Sequence, residues 1–289
     1  MMSEITFIGL GAMGAKVAST LIKNDCKLTV WNRSHDKEDA LVEQGAKRAD
    51  TLEAAINASQ IIMICVDNFE TTHKILSTHS ITPLLAGKTI VQMSTGTPAE
   101  TRAANEWFAQ HGAELLVSMI MVYPVSIGKD EAQFLISGPE VLYQNCEKYF
   151  HFLGGDIRYL GSAIGAAAAM SLAILARFIA NLLGLVHGAN ICESEGVSLS
   201  EFAKMFPPGD RAQTVAAAIE SNDYRVDGGA SIEIAKVSAA SLQSQAHDIG
   251  INSELPDFAL NLFQRVIDAG YQGQDSASLI KVLRQENPK

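Results

Sequence analysis

Short apolar runs alternate with longer amphipathic stretches through the first half of the chain, and the alternation stops near Gly161. Ile5–Ile8, Lys27–Trp31, Ile61–Val66, Thr89–Met93, Leu115–Ser118, Phe134–Ser137 and Ile157–Leu160 are rich in β-branched residues and bounded by Gly, Asn, Asp or Ser, as buried strands are. Met13–Lys23, Asp36–Gln44 and Thr51–Ala58 lie between the early ones and are long enough to be crossover helices. Strand–helix–strand repetition predicts a parallel, doubly wound sheet.

Beyond Gly161 no strand signal recurs, alanine becomes dense, and apolar residues keep helical spacing through Leu242–Ile249 and Phe258–Ala269. Residues 162–193 are apolar nearly all round, the pattern of a helix buried on every side. A small helical half has too little material to cover such a helix, so a second copy is its expected cover, in a homodimer. Pro207-Pro208-Gly209-Asp210 and Asp227-Gly228-Gly229 are loop signals, and Leu255-Pro256 reads as a helix start. The predicted class is α/β, with a dinucleotide-binding Rossmann domain over 1–161, an interdomain helix over 162–193 and an all-α dimerisation and substrate domain over 194–289.

Composition narrows the partners. The 289 residues are 47% hydrophobic and 19% charged, as in a compact globular chain, and the net charge of -10 opposes binding to nucleic acid. Cys26, Cys65, Cys146 and Cys192 are scattered singly, without metal-ligand spacing, which fits reduced thiols in a cytoplasm and no metal site. The N-terminus runs into Ile5–Leu10 with no basic segment before it, so export is not expected. Ala163–Ile191 imitates a membrane span but carries Arg177, Asn181 and His187. A central arginine costs about 2.5–3.5 kcal/mol in a bilayer, which favours burial in protein over a membrane.

Gly9-Leu10-Gly11-Ala12-Met13-Gly14 follows the first strand and opens an alanine-rich helix, the context in which G-x-G-x-x-G binds a dinucleotide. The first glycine allows the tight turn, the second lets the pyrophosphate approach the backbone, and the third lets helix pack on strand. At the end of the second strand NAD sites usually place an acid on the ribose hydroxyls; here stands Trp31-Asn32-Arg33-Ser34. Arg33 is suited to grip a 2′-phosphate with Asn32, Ser34 and Lys37 donating, which favours NADPH; the alternative is a solvated turn arginine. Val66-Asp67-Asn68 and Ser94-Thr95-Gly96-Thr97-Pro98 follow the next strands and are expected beside the nicotinamide ribose, although Thr97 and Pro98 also read as an ordinary helix start.

With the glycine loop, the Asn-Arg-Ser turn and one long helix after the sheet, the chain resembles the β-hydroxyacid dehydrogenase superfamily. No lysine stands between Lys148 and Lys204, so that superfamily's lysine-dependent mechanism is not expected. The chain is more similar to the imine reductases and reductive aminases, along nearly its whole length. Besides the loop and turn, the similarity is carried by Ser94–Pro98, Ile120–Gly128, Ser137-Gly138-Pro139, His187-Gly188-Ala189, Glu195-Gly196-Val197, Asp223-Tyr224 and Glu254-Leu255-Pro256. It implies NADPH, a reciprocally swapped helical dimer, and active sites at the domain junction.

Members usually carry Tyr-Asp, or a similar polar pair, one turn into the long helix after the glycine matching Gly165; this chain has Met170-Ser171 there, and Ile179 where reductive aminases often place an aromatic. The segment around Phe206–Arg211 matches the family poorly. A neutral hydroxyl offers an iminium nitrogen a hydrogen bond and no charge, and is a poor general acid. Ser171 therefore reads either as a polar anchor or as a small packing residue bonded back to the preceding turn. Tyr123 reads as a phenol that orients or protonates substrate, or as a locally satisfied one. Met121, Tyr123, Met170, Leu175, Phe178 and Ile179 are expected to line the substrate pocket, as Met119 is; methionines also serve as core filler. Arg177 suits an anionic substrate or an acid across the dimer, and His187 a core position. Three functions remain: reduction of cyclic imines to amines, reduction of a carbonyl or other activated double bond, and coenzyme binding without turnover.

Overall fold

The computed structural model describes residues 3–226 and 230–285, so the Asp227-Gly228-Gly229 loop signal lies outside the described residues. The chain divides into two compact units, Met1–Ser171 and Leu172–Lys289.

The first unit runs β1 (Ile5–Ile8), α1 (Ala12–Lys23), β2 (Leu28–Trp31), α2 (Asp39–Glu43), β3 (Lys47–Arg48), α3 (Leu52–Asn57), β4 (Ile61–Ile64), α4 (Phe69–Leu76), β5 (Thr89–Gln92), α5 (Pro98–Gln110), β6 (Glu114–Ile120), β7 (Gln133–Ser137), α6 (Glu140–Leu153) and β8 (Asp156–Tyr159). The eight strands form one sheet in the order β3-β2-β1-β4-β5-β6-β7-β8. The order reverses between β1 and β4, which makes a crevice at the carboxyl ends of those strands. Strands β1, β4 and β5 are buried almost throughout because both their faces are covered, the polar Thr6 and Gln92 included. On one face α1 packs on α6, and Phe7, Val17, Leu21, Val30, Phe134 and Phe150 close the core.

Two features depart from the predicted parallel sheet. β7 pairs antiparallel to β6, since the segment between them holds only a 3₁₀ turn, Pro124–Ser126, and parallel strands need a longer crossover. β3 is a two-residue exposed strand, Lys47–Arg48, with no apolar pattern to announce it.

The helix α7 (Ala166–Ser194) spans the boundary between the units. The second unit continues with α8 (Leu199–Lys204), α9 (Arg211–Ser221), α10 (Ile232–Ile249), α11 (Glu254–Asp268) and α12 (Ile280–Gln285). Among its described residues the only strand-like pairing is an isolated bridge, Ser231 to Asp275. Asp210 caps α9 by accepting from the Ala212 N–H at 2.8 Å, so the Pro207–Asp210 loop signal ends where that helix begins. Leu182, Val186, Val215, Ile219, Phe263 and Ile280 share its core. Two ion pairs tie distant segments, Arg211 to Asp275 at 2.6 Å and Arg284 to Glu193 at 2.8 Å.

The expectation of an α7 buried on every side does not hold within one chain. Leu172, Ile179, Leu182, Val186 and Ala189 are buried, while Met170, Phe178 and Ile191 are 45%, 58% and 53% exposed. α7 is long and apolar enough to cross a membrane by length and composition, yet Arg177 lies exposed at its middle.

Candidate coenzyme and active site

The glycine loop lies at the head of the crevice. Gly9 sits at φ +93°, and a Cβ there would stand 2.4 Å from the Cys65 carbonyl oxygen at the end of β4. A Cβ on Gly14 would stand 2.1 Å from the Gly9 carbonyl oxygen, so α1 touches β1 only because the residue is glycine. Gly11 differs: nothing lies within 4 Å of a Cβ there, and its backbone is extended at φ -65°. Gly11 is also the N-cap of α1, with no side-chain cap and no acid in the first turn. The loop thus presents helix N–H groups to open space, an arrangement suited to an anion.

Asn32 fixes the turn after β2. Its Oδ1 accepts from the Leu10 N–H at 2.9 Å and its Nδ2 donates to the Ser34 carbonyl at 3.0 Å. Arg33, Ser34 and Lys37 are exposed, and the side chains of Arg33 and Lys37 have no hydrogen bond or ion pair among the described residues. Two free cations, Arg33 and Lys37, with Asn32 in place of an acid at the end of β2, suit a phosphate better than a ribose diol, although the exposed Asp36 lies between them in sequence. Glu38, six residues on, is buried against the same turn, and Arg48 of β3 pairs with it at 3.0 Å. Neither residue was among the sequence candidates.

Further along the crevice, the Ser94 hydroxyl accepts from the Val66 N–H at 3.0 Å and joins the loops after β4 and β5. Asp67 and Thr95 are exposed beside them. Thr97 and Glu100 form a reciprocal capping box with Pro98 in the first turn, so the ordinary reading of this stretch as a helix start is realised. Asn68 caps α4 through the Thr71 N–H at 2.8 Å. Burial, and then the Asp67 charge, push the Cys65 thiol up to about 12, so it is no nucleophile.

The start of α7 is bound into the same unit. Ser137 donates to the Ile164 carbonyl at 2.8 Å and accepts from the Ala167 N–H at 3.1 Å. A Cβ on Gly165 would lie 3.4 Å from Pro98, so the start of this helix faces the start of α5, next to the Ser94–Thr97 loop. Ser171 is half-buried, and its hydroxyl makes no hydrogen bond among the described residues, including to the preceding turn. Met170 is exposed beside it. Tyr123 is 45% exposed and leads the 3₁₀ turn after β6, with Met121 half-buried before it. Met119 is buried at 4% exposure, as core filler would be. Of the pocket candidates in the second unit, Ile179 lies in that unit's core and Leu175 packs against it, whereas Phe178 is exposed. His187, expected at a core position, is exposed.

The reversal of strand order, the three glycines and the open helix terminus define a Rossmann dinucleotide-binding unit. Residues 4–161 match the NAD binding domain of 6-phosphogluconate dehydrogenase, and residues 163–285 match the C-terminal domain described as NADPH-dependent reductive aminase-like. An NADPH-dependent reductive aminase of Aspergillus oryzae is 30% identical, over 98% of each chain. An imine reductase from Myxococcus stipitatus in complex with NADP+ is 29% identical with a TM-score of 0.67, covering 97% of this chain and 99% of that one. A reductive aminase from Aspergillus terreus, in complex with NADPH4, cyclohexanone and allyl amine, is 31% identical with a TM-score of 0.64, covering 98% and 100%. The chain belongs to the imine reductase and reductive aminase family.

Proposed function

We infer that the chain is an NADPH-dependent oxidoreductase that reduces C=N bonds, with cyclic imines as its acceptors and amines as products. The observation that carries this reading is the match of residues 163–285 to a reductive aminase-like domain, on a chain whose first half is a complete dinucleotide-binding unit. When bound, NADPH supplies the hydride. Gly9–Gly14 take its pyrophosphate, Asn32, Arg33, Ser34 and Lys37 its 2′-phosphate, and Val66, Asp67, Ser94 and Thr95 flank the nicotinamide ribose. The open space at Gly11 and the two unpaired cations support that fit.

Hydride transfer depends chiefly on holding the acceptor carbon in place, and an imine that arrives protonated needs no acid from the protein. Ser171, whose hydroxyl has no partner in its own helix, anchors the substrate nitrogen by a hydrogen bond, and Tyr123 orients or protonates it. Met121 and Met170 supply apolar wall. One observation favours a second acceptor class: position 171 carries no charge, so the site has lost an electrostatic preference for an iminium over a neutral carbonyl.

The working form is a cytoplasmic homodimer with helical units exchanged, in which a second copy covers the exposed apolar residues of α7. Oxidation of NADPH by the purified protein should be followed spectrophotometrically with 2-methyl-1-pyrroline and 3,4-dihydroisoquinoline, beside matched ketones and aldehydes. Turnover of the imines with NADPH and weak turnover with NADH is the expected result. Turnover of carbonyls alone would replace the first acceptor class by the second.

A further inference from the structure

Glu38 lies in a run of charged residues, His35-Asp36-Lys37-Glu38-Asp39, whose other members are all exposed. Its own side chain is fully buried. Burying a carboxylate is costly unless charge and hydrogen bonds compensate it, and here they do. One oxygen accepts from the Asn32 N–H at 2.7 Å; the other meets His35 Nδ1 at 3.2 Å and Arg48 Nε at 3.0 Å. Arg48 also reaches Asp39.

We propose that Glu38 is a positioning residue for coenzyme selection: it holds the Asn32–Ser34 turn ready for a 2′-phosphate, while Arg48 balances its charge. The proposal rests on the assignment of the 2′-phosphate to the Arg33 turn. The bonds form a chain from Glu38 to the Asn32 N–H, from the Asn32 side chain to the Leu10 N–H, and from Asn32 to the Ser34 carbonyl. Arg33 therefore stands between two anchored residues, and the same anchor reaches the glycine loop. An acid near the end of the second strand is the group an NAD site turns outward onto the ribose. Here the strand ends in Asn32 and Arg33, and the nearby Glu38, seven residues past Trp31, is turned inward onto a peptide N–H and covered by a guanidinium. Uncovered, its charge would oppose a phosphate dianion on the neighbouring turn.

Dissociation constants of NADPH and NADH for the full-length protein, read by nicotinamide fluorescence, test the idea, with thermal melts to verify folding. Glu38→Ala removes the acceptor and should lower the preference for NADPH over NADH about tenfold. Glu38→Gln keeps an acceptor for Asn32 and should stay within about threefold of the parent. Should Glu38→Ala fail to fold, Arg48→Met reads the same carboxylate through its charge. That variant should lower the NADPH preference about tenfold, and adding Glu38→Gln to it should restore most of the loss. Equal weakening of both coenzymes by Glu38→Ala, or by Arg48→Met, leaves Glu38 a purely structural residue and overturns the proposal. So does a double variant as unselective as Arg48→Met alone. Arg33→Ala separates the two layers of the argument. If it weakens NADPH and NADH alike, the 2′-phosphate assignment falls and takes the proposal with it; if it is selective while the Glu38 and Arg48 variants are not, the proposal falls alone.

Discussion

Gly11→Ala and Gly14→Ala place the same methyl group at two points of one loop, and the structure predicts opposite reasons for losing the coenzyme. At Gly14 the methyl meets the Gly9 carbonyl oxygen at 2.1 Å, the Gly9 carbonyl carbon at 3.1 Å and the Phe7 ring at 3.2 Å. The nearest obstacle is backbone, so α1 must move off β1 by about 1 Å, a core overpacking of the kind that costs about 1–3 kcal/mol. The melting temperature should fall with coenzyme affinity. At Gly11 nothing lies within 4 Å and φ is -65°, a conformation alanine adopts freely. Alanine there also restricts the unfolded chain, which stabilises by about 0.4–1 kcal/mol. Gly11→Ala should therefore melt at or slightly above the parent temperature and still lose coenzyme, because the methyl fills space the pyrophosphate needs to reach the helix N–H groups. A hydrogen bond to a charged group is worth about 1.5–3 kcal/mol, so the loss is about ten- to a hundredfold, equal for NADPH and NADH. Calorimetric melts and coenzyme titrations on the two variants decide it. An unchanged dissociation constant for Gly11→Ala, with an unchanged melt, would refute the pyrophosphate assignment.

Ser171→Asp adds a negative charge at the proposed anchor of the substrate nitrogen and should raise kcat/KM for 3,4-dihydroisoquinoline about tenfold while leaving ketone reduction flat; a parallel rise for both would show that position 171 does not sense an iminium. Phe178→Asp puts a charge on the exposed apolar stripe of α7 and should convert a dimer into a monomer by light scattering, whereas a variant that stays dimeric places the interface elsewhere. Burial holds the thiols of Cys65 and Cys146 up at about 12. At pH 8.5 only about one such thiol in three thousand is ionised, so iodoacetamide should leave both unmodified in the native protein and label them after denaturation, as read by mass spectrometry.

What could be read from residues alone follows from how locally each feature is determined. β1 and β4 are legible because a strand covered on both faces is apolar at almost every position, β5 through Ile90 and Val91, and the glycine loop because its three glycines fall within six residues directly after a strand. The antiparallel turn of β7 carried a usable signal: the twelve residues between Ile120 and Gln133 include Pro124 and Gly128 and hold no helical pattern, so no crossover helix was available there. β3 had none, because Lys47 and Arg48 are defined only by the β2 edge they pair with. Glu38 was illegible for the same reason at one remove. A glutamate in a charged run reads as solvated, and its burial depends on Arg48, held ten residues away on a strand that leaves no pattern.

The long helix exposes a different limit. Hydropathy reports how much apolar surface α7 carries and not what covers it, and one chain buries only part of that surface. Position 171 lies near the start of this helix, at the end of the first unit, so local rules say little about its chemistry beyond its charge. The coenzyme half is different in kind. A chain of net charge -10 is set to bind a polyanion, so the attraction has to be made locally, which the proposed site does with N–H groups at Gly11 and with Arg33 and Lys37 beside a turn that Asn32 anchors. Two acids follow that turn closely in sequence, Asp36, which is exposed, and Glu38, whose carboxylate is fully buried and bonded to the Asn32 N–H. On the proposal above, coenzyme preference is made by Arg33 and Lys37 at the phosphate and kept by Glu38 and Arg48, a pair that the coenzyme need not touch.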